Sequence, residues 1–346
     1  MANIPRDFYN LLREYGALLP SRLLRFPLGI PWPELHNLLL ENVLLDQHFT
    51  SYPPSVEYQR AFWKAAIDHL EANIPDPLVT KAPSYSTHFW ATDPSYLTQN
   101  AVDLTLLQNS TLLESRTFIE KGTTGLRTWP ASLALAEYLV TQPDIASKTR
   151  VLELGSGAGF LGIVVGSIQV LHGDERSSLH LTDVHEEVLS RCEKNVNLPC
   201  NTSSQHRDIH YHALDWSNAT DSTRRSSLTR LFENINADVI LGADLVFDPD
   251  LILALVETIA VALQESSSGS SRTKTAILAL TVRNQDTFDT FERLTSQYFH
   301  LHELPTPRLS MFLGLPEGKE SPSEITRNVK MIQLSQKKQG KYSYGQ

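Results

Sequence analysis

The sequence predicts an α/β fold in which helices precede a mainly parallel, doubly wound sheet. A short apolar strand at 150–154 runs directly into a glycine-rich turn, and an apolar helix over 160–171 follows it. Strand and helix patterns then alternate as far as residue 281. The ligand crevice of such a sheet lies beyond the carboxyl ends of its strands, where acidic and aromatic residues stand in this sequence.

Residues 1–114 are predicted to form an N-terminal helical domain without a catalytic constellation. Apolar residues recur at helical spacing in three segments, over 6–26, 33–45 and 56–72. Pro53 and Pro54 end the second segment, and residues 80–100 read as a connecting segment rich in proline, serine and threonine. The domain is expected either to cover the core or to help recognise a substrate.

Residues 115–346 are predicted to form the second domain, which contains the sheet. Pro130 suits the first turn of a helix over 130–141, because its missing amide hydrogen would be unpaired there in any case. The predicted strands are 150–154, 178–183, 209–215, 237–243, 275–281, 300–304 and 330–334. The loop over 316–323 between the last two strands is expected to overhang the crevice.

Composition limits the class of protein. The 346 residues carry a formal net charge of −9, which argues against a dedicated nucleic-acid binder, since such proteins neutralise phosphates with Lys and Arg. Two cysteines, Cys192 and Cys200, cannot form a disulfide framework, so a reducing cytosol is the simplest location. No apolar stretch predicts export or membrane anchoring. His210 and His212 share one strand face without a third ligand nearby, so no metal site is expected.

Two classes of ligand use a glycine turn of this kind. The glycines stand at 155, 157, 159 and 162. Gly157 to Gly162 matches the G-x-G-x-x-G string of nicotinamide-binding proteins. Proteins that bind S-adenosylmethionine usually carry an acidic residue on the strand just before the glycines, and Glu153 fills that position. Asp183 ends the next strand, and its carboxylate would accept both ribose hydroxyls in either class.

Later motifs favour the second class. Asp215-Trp216 follows the third strand, and Asp244-Leu-Val-Phe247 follows the fourth. With Gly122-Thr-Thr-Gly-Leu-Arg-Thr-Trp-Pro-Ala-Ser132 and Glu153-Leu-Gly-Ser-Gly157, they resemble the seven-stranded class I methyltransferases. Within that class the chain is most similar to the seven-beta-strand protein lysine methyltransferases, and among these to the branch that methylates eukaryotic elongation factor 2. Tyr52-Pro-Pro-Ser-Val56 also resembles that branch.

The resemblance implies a Rossmann-like sheet of seven strands with the last strand antiparallel, and S-adenosylmethionine as cofactor. The glycine turn would meet the cofactor through its backbone, Asp183 would bind the ribose, and Asp215 with Trp216 would hold the adenine. Trp129 would cover the methionine end. The residues expected to bind the cofactor are Trp129, Glu153, Gly155, Ser156, Gly157, Asp183, Asp215, Trp216 and Ala243.

Asp244 and Phe247 are the expected catalytic residues. A lysine amine has a reference pKa of about 10.4, so it must lose a proton before it attacks a methyl group. The Asp244 carboxylate would receive and orient the amine, and the Phe247 ring would contact its cationic form. Enzymes that methylate amide or nucleobase nitrogens tend to carry prolines at the positions of Leu245 and Val246. The family often has Tyr at 247, and Phe247 offers no hydroxyl.

These observations predict a cytoplasmic, monomeric protein-lysine N-methyltransferase that uses neither nucleic acid nor a membrane. The resemblance implies elongation factor 2 as its substrate, whereas the spacing of the residues alone supports only methylation of a nitrogen. Three alternatives stay open: methylation of another protein or small-molecule nitrogen, a nicotinamide-dependent oxidoreductase, and a cofactor-binding adaptor without turnover. Simpler structural readings also stay open for single residues. Asp183 would cap the helix that follows it, Asp244 would cap a helix beginning near Pro249, and Arg283 would contact either substrate or solvent at the crevice edge.

Overall fold

The computed structural model describes residues 4–27, 29–30, 32–68, 83–93, 95–96, 100–117, 119–120, 122–264, 273–312 and 326–337. Within these ranges the strands are β1 Ile4–Pro5, β2 Ser84–Trp90, β3 Ala101–Val102, β4 Gln108–Glu114, β5 Arg150–Leu154, β6 Ser178–Asp183, β7 Ile209–Ala213, β8 Val239–Ala243, β9 Thr275–Thr281, β10 Phe299–Leu304 and β11 Val329–Gln336. The α-helices are α1 Arg6–Gly16, α2 Trp32–Leu39, α3 Gln47–Ser51, α4 Val56–Asp68, α5 Pro130–Thr141, α6 Phe160–His172, α7 Glu186–Val196, α8 Arg225–Ile235, α9 Ile252–Ala262 and α10 Gln285–Tyr298. The loop over 316–323 lies outside the described residues.

Seven strands form the central sheet in the order β10-β11-β9-β8-β5-β6-β7. Neighbouring strands from β9 to β7 are parallel, whereas β11 pairs antiparallel with both β9 and β10. The predicted mainly parallel sheet with an antiparallel last strand is therefore confirmed. The direction in which successive strands are added to the sheet reverses at β5, because β6 lies on one side of it and β8 on the other. At such a reversal a crevice opens at the carboxyl ends of the strands.

Apolar side chains cover both faces of this sheet. One cluster joins α5, α6 and α7 to the N-terminal helices, and a second cluster packs α8, α9 and α10 on the opposite face. The N-terminal helices thus share a core with α6, which begins at the glycine turn. No helix among the described residues combines the length and the apolar character that a membrane crossing requires.

The N-terminal region contains strands as well as helices. The predicted helix over 6–26 ends at Gly16, where a Cβ would stand 2.6 Å from the carbonyl oxygen of Thr87, and Leu18 then takes a φ of 56°. The predicted connecting segment over 80–100 contains β2, which pairs antiparallel with β4. Side-chain periodicity could not indicate β2, because both of its faces are largely buried.

Two asparagine side chains pair with the other edge of β4 as a neighbouring strand would. Asn201 accepts from the amide of Thr111 and donates to its carbonyl, at 2.7 and 2.8 Å. Asn195, on α7, makes the same two contacts with Leu113 and also donates to the carbonyl of Ala158 at 2.8 Å. Since Ala158 belongs to the glycine turn, β4 and the turn are held by one side chain.

His88 lies where β2 meets the start of α6. Its ring centroid stands 5.0 Å from that of Phe160 and 6.2 Å from that of Phe312, and only 6% of the residue is exposed. Burial lowers the pKa of His88 from 6.5 to about 4. Below about pH 6.5 the folded state therefore binds fewer protons than the unfolded state, so the free energy of unfolding falls as the pH drops toward about 4.

We expect the His88→Gln variant to be less sensitive to acid than the wild type, because glutamine does not titrate. Between pH 7 and pH 5 the wild type should lose about 2 kcal/mol more of its free energy of unfolding than the variant. Urea unfolding of both proteins at the two pH values measures this difference. Equal losses in the two proteins would show that His88 does not resist protonation in the folded state.

Candidate active site

The crevice at the carboxyl ends of β5, β6 and β8 is a cavity of about 510 Å³. Its volume lies within the usual range for small-molecule sites. It brings together every residue that the sequence predicted for the site: Trp129, Glu153, Gly155, Ser156, Gly157, Asp183, Asp215, Trp216, Ala243, Asp244 and Phe247. These residues come from five separate segments of the chain, and the topology of the sheet makes them neighbours.

The glycine turn needs its glycines for two reasons. Gly155 and Gly157 take φ angles of 64° and 54°, in the left-handed region where side chains are strained. A Cβ on Gly155 would also stand 2.8 Å from Leu245, and one on Gly157 would stand 2.9 Å from the carbonyl oxygen of Gly125. Bare backbone therefore lines the cavity at this turn, with the N-terminus of α6 behind it.

Gly162 does not serve the cavity in the same way. A Cβ there would stand 2.8 Å from Leu181 of β6, so the glycine allows α6 to pack closely on the sheet. The match of Gly157 to Gly162 with the nicotinamide string thus contains one residue whose contact is with the core. Because Gly162 packs against Leu181, it does not favour a nicotinamide cofactor over S-adenosylmethionine.

Glu153 places a buried carboxyl group beneath the turn. Burial raises its pKa to about 8, although a hydrogen bond from Ser156 acts in the opposite direction. Its Oε2 atom has no hydrogen-bond partner among the described residues. This atom is shielded from solvent and lies 3.5 Å from the position of a Gly162 Cβ, so it sits beneath the first turn of α6.

Asp183 braces the turn from the end of β6. Its Oδ2 atom accepts from the amide of Gly157 at 3.2 Å, and its Oδ1 atom accepts from the amide of His185 at 3.1 Å. Burial raises its pKa, and these amide contacts lower it. The reading of Asp183 as a helix cap is wrong, because the N-cap residue of α7 is His185 and the amide that Asp183 binds precedes the first helical turn. The carboxylate instead lines the cavity.

Trp216 and Leu245 form an apolar wall beside Gly155. The Trp216 ring lies 3.6 Å from the position of a Gly155 Cβ, and Leu245 fills the space below. Asp215 accepts from the amide of Ser217 at 2.9 Å and so begins the short 3-10 helix Trp216–Ala219. This local contact starts the helical turn that carries Trp216, three residues after the end of β7 at Ala213. The apolar wall is suited to a flat aromatic group.

Trp129 closes another side of the cavity, at the start of α5. Its indole Nε1 donates to the carbonyl of Thr124 at 3.1 Å, which ties it to the turn over 122–125. The guanidinium carbons of Arg127 and Arg283 lie 5.2 and 5.0 Å from the centre of its ring. Both distances are within the range of cation–π contacts.

Asp244 does not present a free carboxylate in this structure. Arg283 donates to both of its oxygens, from Nη1 to Oδ1 at 3.0 Å and from Nη2 to Oδ2 at 2.9 Å. The amide of Thr281 donates to Oδ1 at 3.1 Å, and the amide of Asp244 itself donates to Ala279 at 2.8 Å. Three of its roughly four acceptor directions are thus occupied.

The reading of Asp244 as a helix cap is wrong. The 3-10 helix Pro249–Leu251 begins at Asp248, whose side chain accepts from the amide of Asp250. Asp244 instead faces the cavity, with a φ of 59° and a side chain that is 6% exposed. Phe247 lines the same cavity and is 53% exposed, so its ring is open to a partner.

Some lining residues were not proposed from the sequence as site residues. They include Leu245, which joins the apolar wall only because the ends of β5 and β8 are adjacent, and Arg127, which lies two residues before Trp129. Arg283 was placed at the crevice edge, but its pairing with Asp244 spans 39 positions. Spacing alone carries no signal for such contacts.

His210 and His212 have a third histidine beside them. His180 on β6 stacks against both rings at 4.8 and 5.3 Å, so the expectation that no third ligand was near them is wrong. His180 Nδ1 lies 3.0 Å from His212 Nε2, and one nitrogen of the pair carries the shared hydrogen. Within the described ranges, no three His, Cys, Asp or Glu side chains are arranged to hold a metal ion.

A seven-stranded sheet of this order and a crevice with a glycine turn, strand-end acids and aromatic walls define a class I methyltransferase fold. A sequence model described as lysine methyltransferase matches residues 107–297, and the chain belongs to that family. It is therefore a protein-lysine N-methyltransferase by family.

The curated relatives agree with this assignment. The chain is 30% identical over 315 residues to "Protein-lysine N-methyltransferase EEF2KMT" of Bos taurus, covering 82% of this chain and 87% of the relative. It is 34% identical over 182 residues to "Protein-lysine N-methyltransferase EFM3" of Chaetomium thermophilum, covering 52% of this chain and 50% of the relative. Among solved structures, Aeropyrum pernix fibrillarin with bound S-adenosyl-L-methionine shows 14% identity and a TM-score of 0.39, over 60% of this chain and 76% of that one.

Proposed function

We propose that the chain is an S-adenosylmethionine-dependent protein-lysine N-methyltransferase whose substrate is elongation factor 2. The bovine and human relatives, each 30% identical to the chain, carry the name EEF2KMT. The motif Tyr52-Pro-Pro-Ser-Val56 resembles the branch that methylates this factor. The observation that carries the proposal is the joining of the glycine turn and the Asp244 to Phe247 motif in one cavity.

The residues of the cavity fit S-adenosylmethionine. Bare backbone at Gly155 and Gly157 admits close approach, and Glu153 lines the cavity beneath that turn. Asp183 would bind the ribose hydroxyls, and the wall formed by Trp216 would hold the adenine with Asp215 and Ala243. Trp129 and Ser156 would meet the methionine end. When bound, this cofactor supplies an electrophilic methyl group on a sulfonium.

The target nitrogen would form its bond to the methyl carbon as the carbon–sulfur bond breaks, with the electron pair of that bond going to the sulfur. The lysine amine first gives its proton to water, because the protonated form has no lone pair for the attack. The exposed Phe247 ring would contact the cationic form of the amine before the proton leaves. The Asp244 carboxylate would then accept a hydrogen bond from one N–H of the neutral amine. Catalysis in this scheme comes from position and exclusion of water.

The substrate is tested by labelling. Purified protein and cofactor with a radiolabelled methyl group are added to an extract of cells that lack this protein, and the labelled product is separated by size. We expect one labelled band of the size of elongation factor 2, with methyllysine found by mass spectrometry. Label on a different protein would reject this substrate, and label on RNA or small molecules would reject protein-lysine methylation.

We further propose the organisation around this activity. Residues 1–114 would form an N-terminal domain and residues 115–346 the methyltransferase domain, acting as a monomer in the cytoplasm. The core shared by the N-terminal helices and α6 supports a structural role for the first domain. Sedimentation of the purified chain and microscopy of a tagged copy test the oligomeric state and the location.

The glycine turn gives a direct test of cofactor binding. We expect Gly157→Ala to weaken binding of S-adenosylmethionine at least about 10-fold, because the new Cβ meets the rigid Gly125 carbonyl at 2.9 Å and the φ of 54° is strained. Calorimetric titration measures the affinity. Gly29→Ala is the matched control, since a Cβ there has no atom within 4 Å. Equal affinities of the two variants would contradict the placement of the cofactor at this turn.

A further inference from the structure

Contacts of its backbone amide and of its carboxylate hold Asp244 in an unusual backbone conformation. Its φ of 59° lies in the left-handed region, which a residue other than glycine adopts at a cost. Its amide donates to Ala279 at 2.8 Å, and its Oδ1 accepts from the amide of Thr281 at 3.1 Å. Both contacts come from the end of β9. The end of β9 therefore fixes the backbone of Asp244 and its Oδ1 atom. It makes no contact with Oδ2, which Arg283 binds.

Arg283 completes the arrangement. Its two terminal nitrogens meet the two carboxylate oxygens of Asp244 at 3.0 and 2.9 Å, which fixes the plane of the carboxylate as well as its position. A lysine at 283 would offer only a single point charge and could not define that plane. The Asp244 side chain is 6% exposed, so the pair is largely screened from water on the aspartate side.

The same guanidinium also contacts Trp129. Its carbon lies 5.0 Å from the centre of the Trp129 ring, and Arg283 lines the cavity beside both residues. Asp244, Arg283 and Trp129 thus form one connected side of the cavity, drawn from the ends of β8 and β9 and from the start of α5. Moving the arginine would release contacts with both neighbours.

We infer that Arg283 is a positioning residue for methyl transfer, which acts by holding the Asp244 carboxylate in the plane that the target amine meets. This inference rests on the proposed function and adds to it a residue with a defined task. It also explains why Asp244 keeps one acceptor direction: three are occupied by Arg283 and Thr281, and the remaining one suits a single N–H of the amine. The inference replaces the two earlier readings of Arg283 as a substrate contact or a solvated residue.

A double-mutant cycle tests the inference. Arg283→Ala should lower kcat about 10- to 100-fold, and Arg283→Lys should recover only a small part of it. In the Asp244→Asn background, Arg283→Ala should lower kcat by less than about 3-fold further, because residues that act as one unit are strongly non-additive. The KM for the substrate and the calorimetric Kd for S-adenosylmethionine should change by less than about 3-fold in the single variants.

Arg176→Ala is the matched control, because Arg176 makes a similar ion pair with Asp174 on an exposed loop before β6. Its kcat should equal that of the wild type. Unchanged kcat in Arg283→Ala, full additivity of the two substitutions, or a loss explained by weaker cofactor binding would each overturn the inference. The assay uses the acceptor that the wild type labels in extract. The wild-type product therefore tests the substrate, whereas the ratio of variant to wild type tests Arg283.

Discussion

Asp244→Asn should lower the methylation rate about 100-fold while the affinity for S-adenosylmethionine stays within about 3-fold of the wild type. The amide keeps the size of the side chain, and asparagine tolerates the left-handed φ of 59° at least as well as aspartate does. It loses the negative charge, and it turns one acceptor toward Arg283 into a donor. Losses of this order are typical when one preorganised polar group is removed from a reacting centre.

The measurement separates activity from folding. Initial rates with labelled cofactor give kcat and KM, calorimetry gives the cofactor affinity, and thermal unfolding shows whether the variant is folded. Phe247→Leu serves as a second variant in the same motif, and it tests the contact of the ring with a cationic amine. We expect it to raise KM more than it lowers kcat.

An adaptor without turnover would behave differently. In that case Asp244→Asn would leave partner binding and cell function intact, and the wild type itself would show no transfer of label. A wild-type rate that Asp244→Asn leaves unchanged would instead place the acceptor elsewhere in the cavity. The two outcomes are distinct, because only the second retains activity in the wild type.

The sequence was sufficient to predict the sheet. The strands 150–154, 178–183 and 275–281 agree with the structure residue by residue, and so does the helix over 130–141. These elements carry strong local signals: apolar runs that suit buried parallel strands, glycines at their ends and a proline at the first helical turn. Strand ends carry polar residues in this chain, so the crevice could be predicted as well.

The contacts that orient the site were not predictable. Arg283 meets Asp244 because β8 and β9 are adjacent and parallel, and Asn195 meets Leu113 because α7 packs on the free edge of β4. Both contacts join residues far apart in the chain, and neither Arg283 nor Asn195 stands in a motif. Likewise, β2 shows no alternation of apolar and polar residues, and its side chains are largely buried on both faces, with α1 packed against it.

Glu137→Ala should lower the free energy of unfolding by about 4 kcal/mol, the largest loss of stability that we expect from a single substitution here. Glu137 lies on α5, is 2% exposed and accepts from the backbone amides of Ser310, Met311 and Phe312 at 2.6 to 3.3 Å. Alanine would leave these three amides without an acceptor. Each buried amide that loses its partner costs about 1–3 kcal/mol.

The segment that Glu137 holds connects the N-terminal region to the cavity. Arg13 of α1 donates to the carbonyl of Met311 at 2.7 Å, and the buried Phe312 ring packs against Phe160 with a centroid distance of 5.3 Å. Phe160 begins α6 directly after the glycine turn and lines the cavity. Loosening residues 310–312 should therefore weaken cofactor binding as well as the fold, which Asp244→Asn should not do.

Urea unfolding at pH 7 measures the loss, and Asp144→Ala, at an exposed carboxylate, should change the free energy of unfolding by less than about 0.5 kcal/mol. Glu137→Gln should lie between the two, because its amide oxygen can still accept while its nitrogen faces other donors. Should Glu137→Ala unfold like the control, the three amides must find other acceptors, and the N-terminal region would then owe its attachment to other contacts, such as those of Asn195 and Asn201 with β4. A large loss of stability with unchanged cofactor affinity would instead show that α6 keeps its position without this segment.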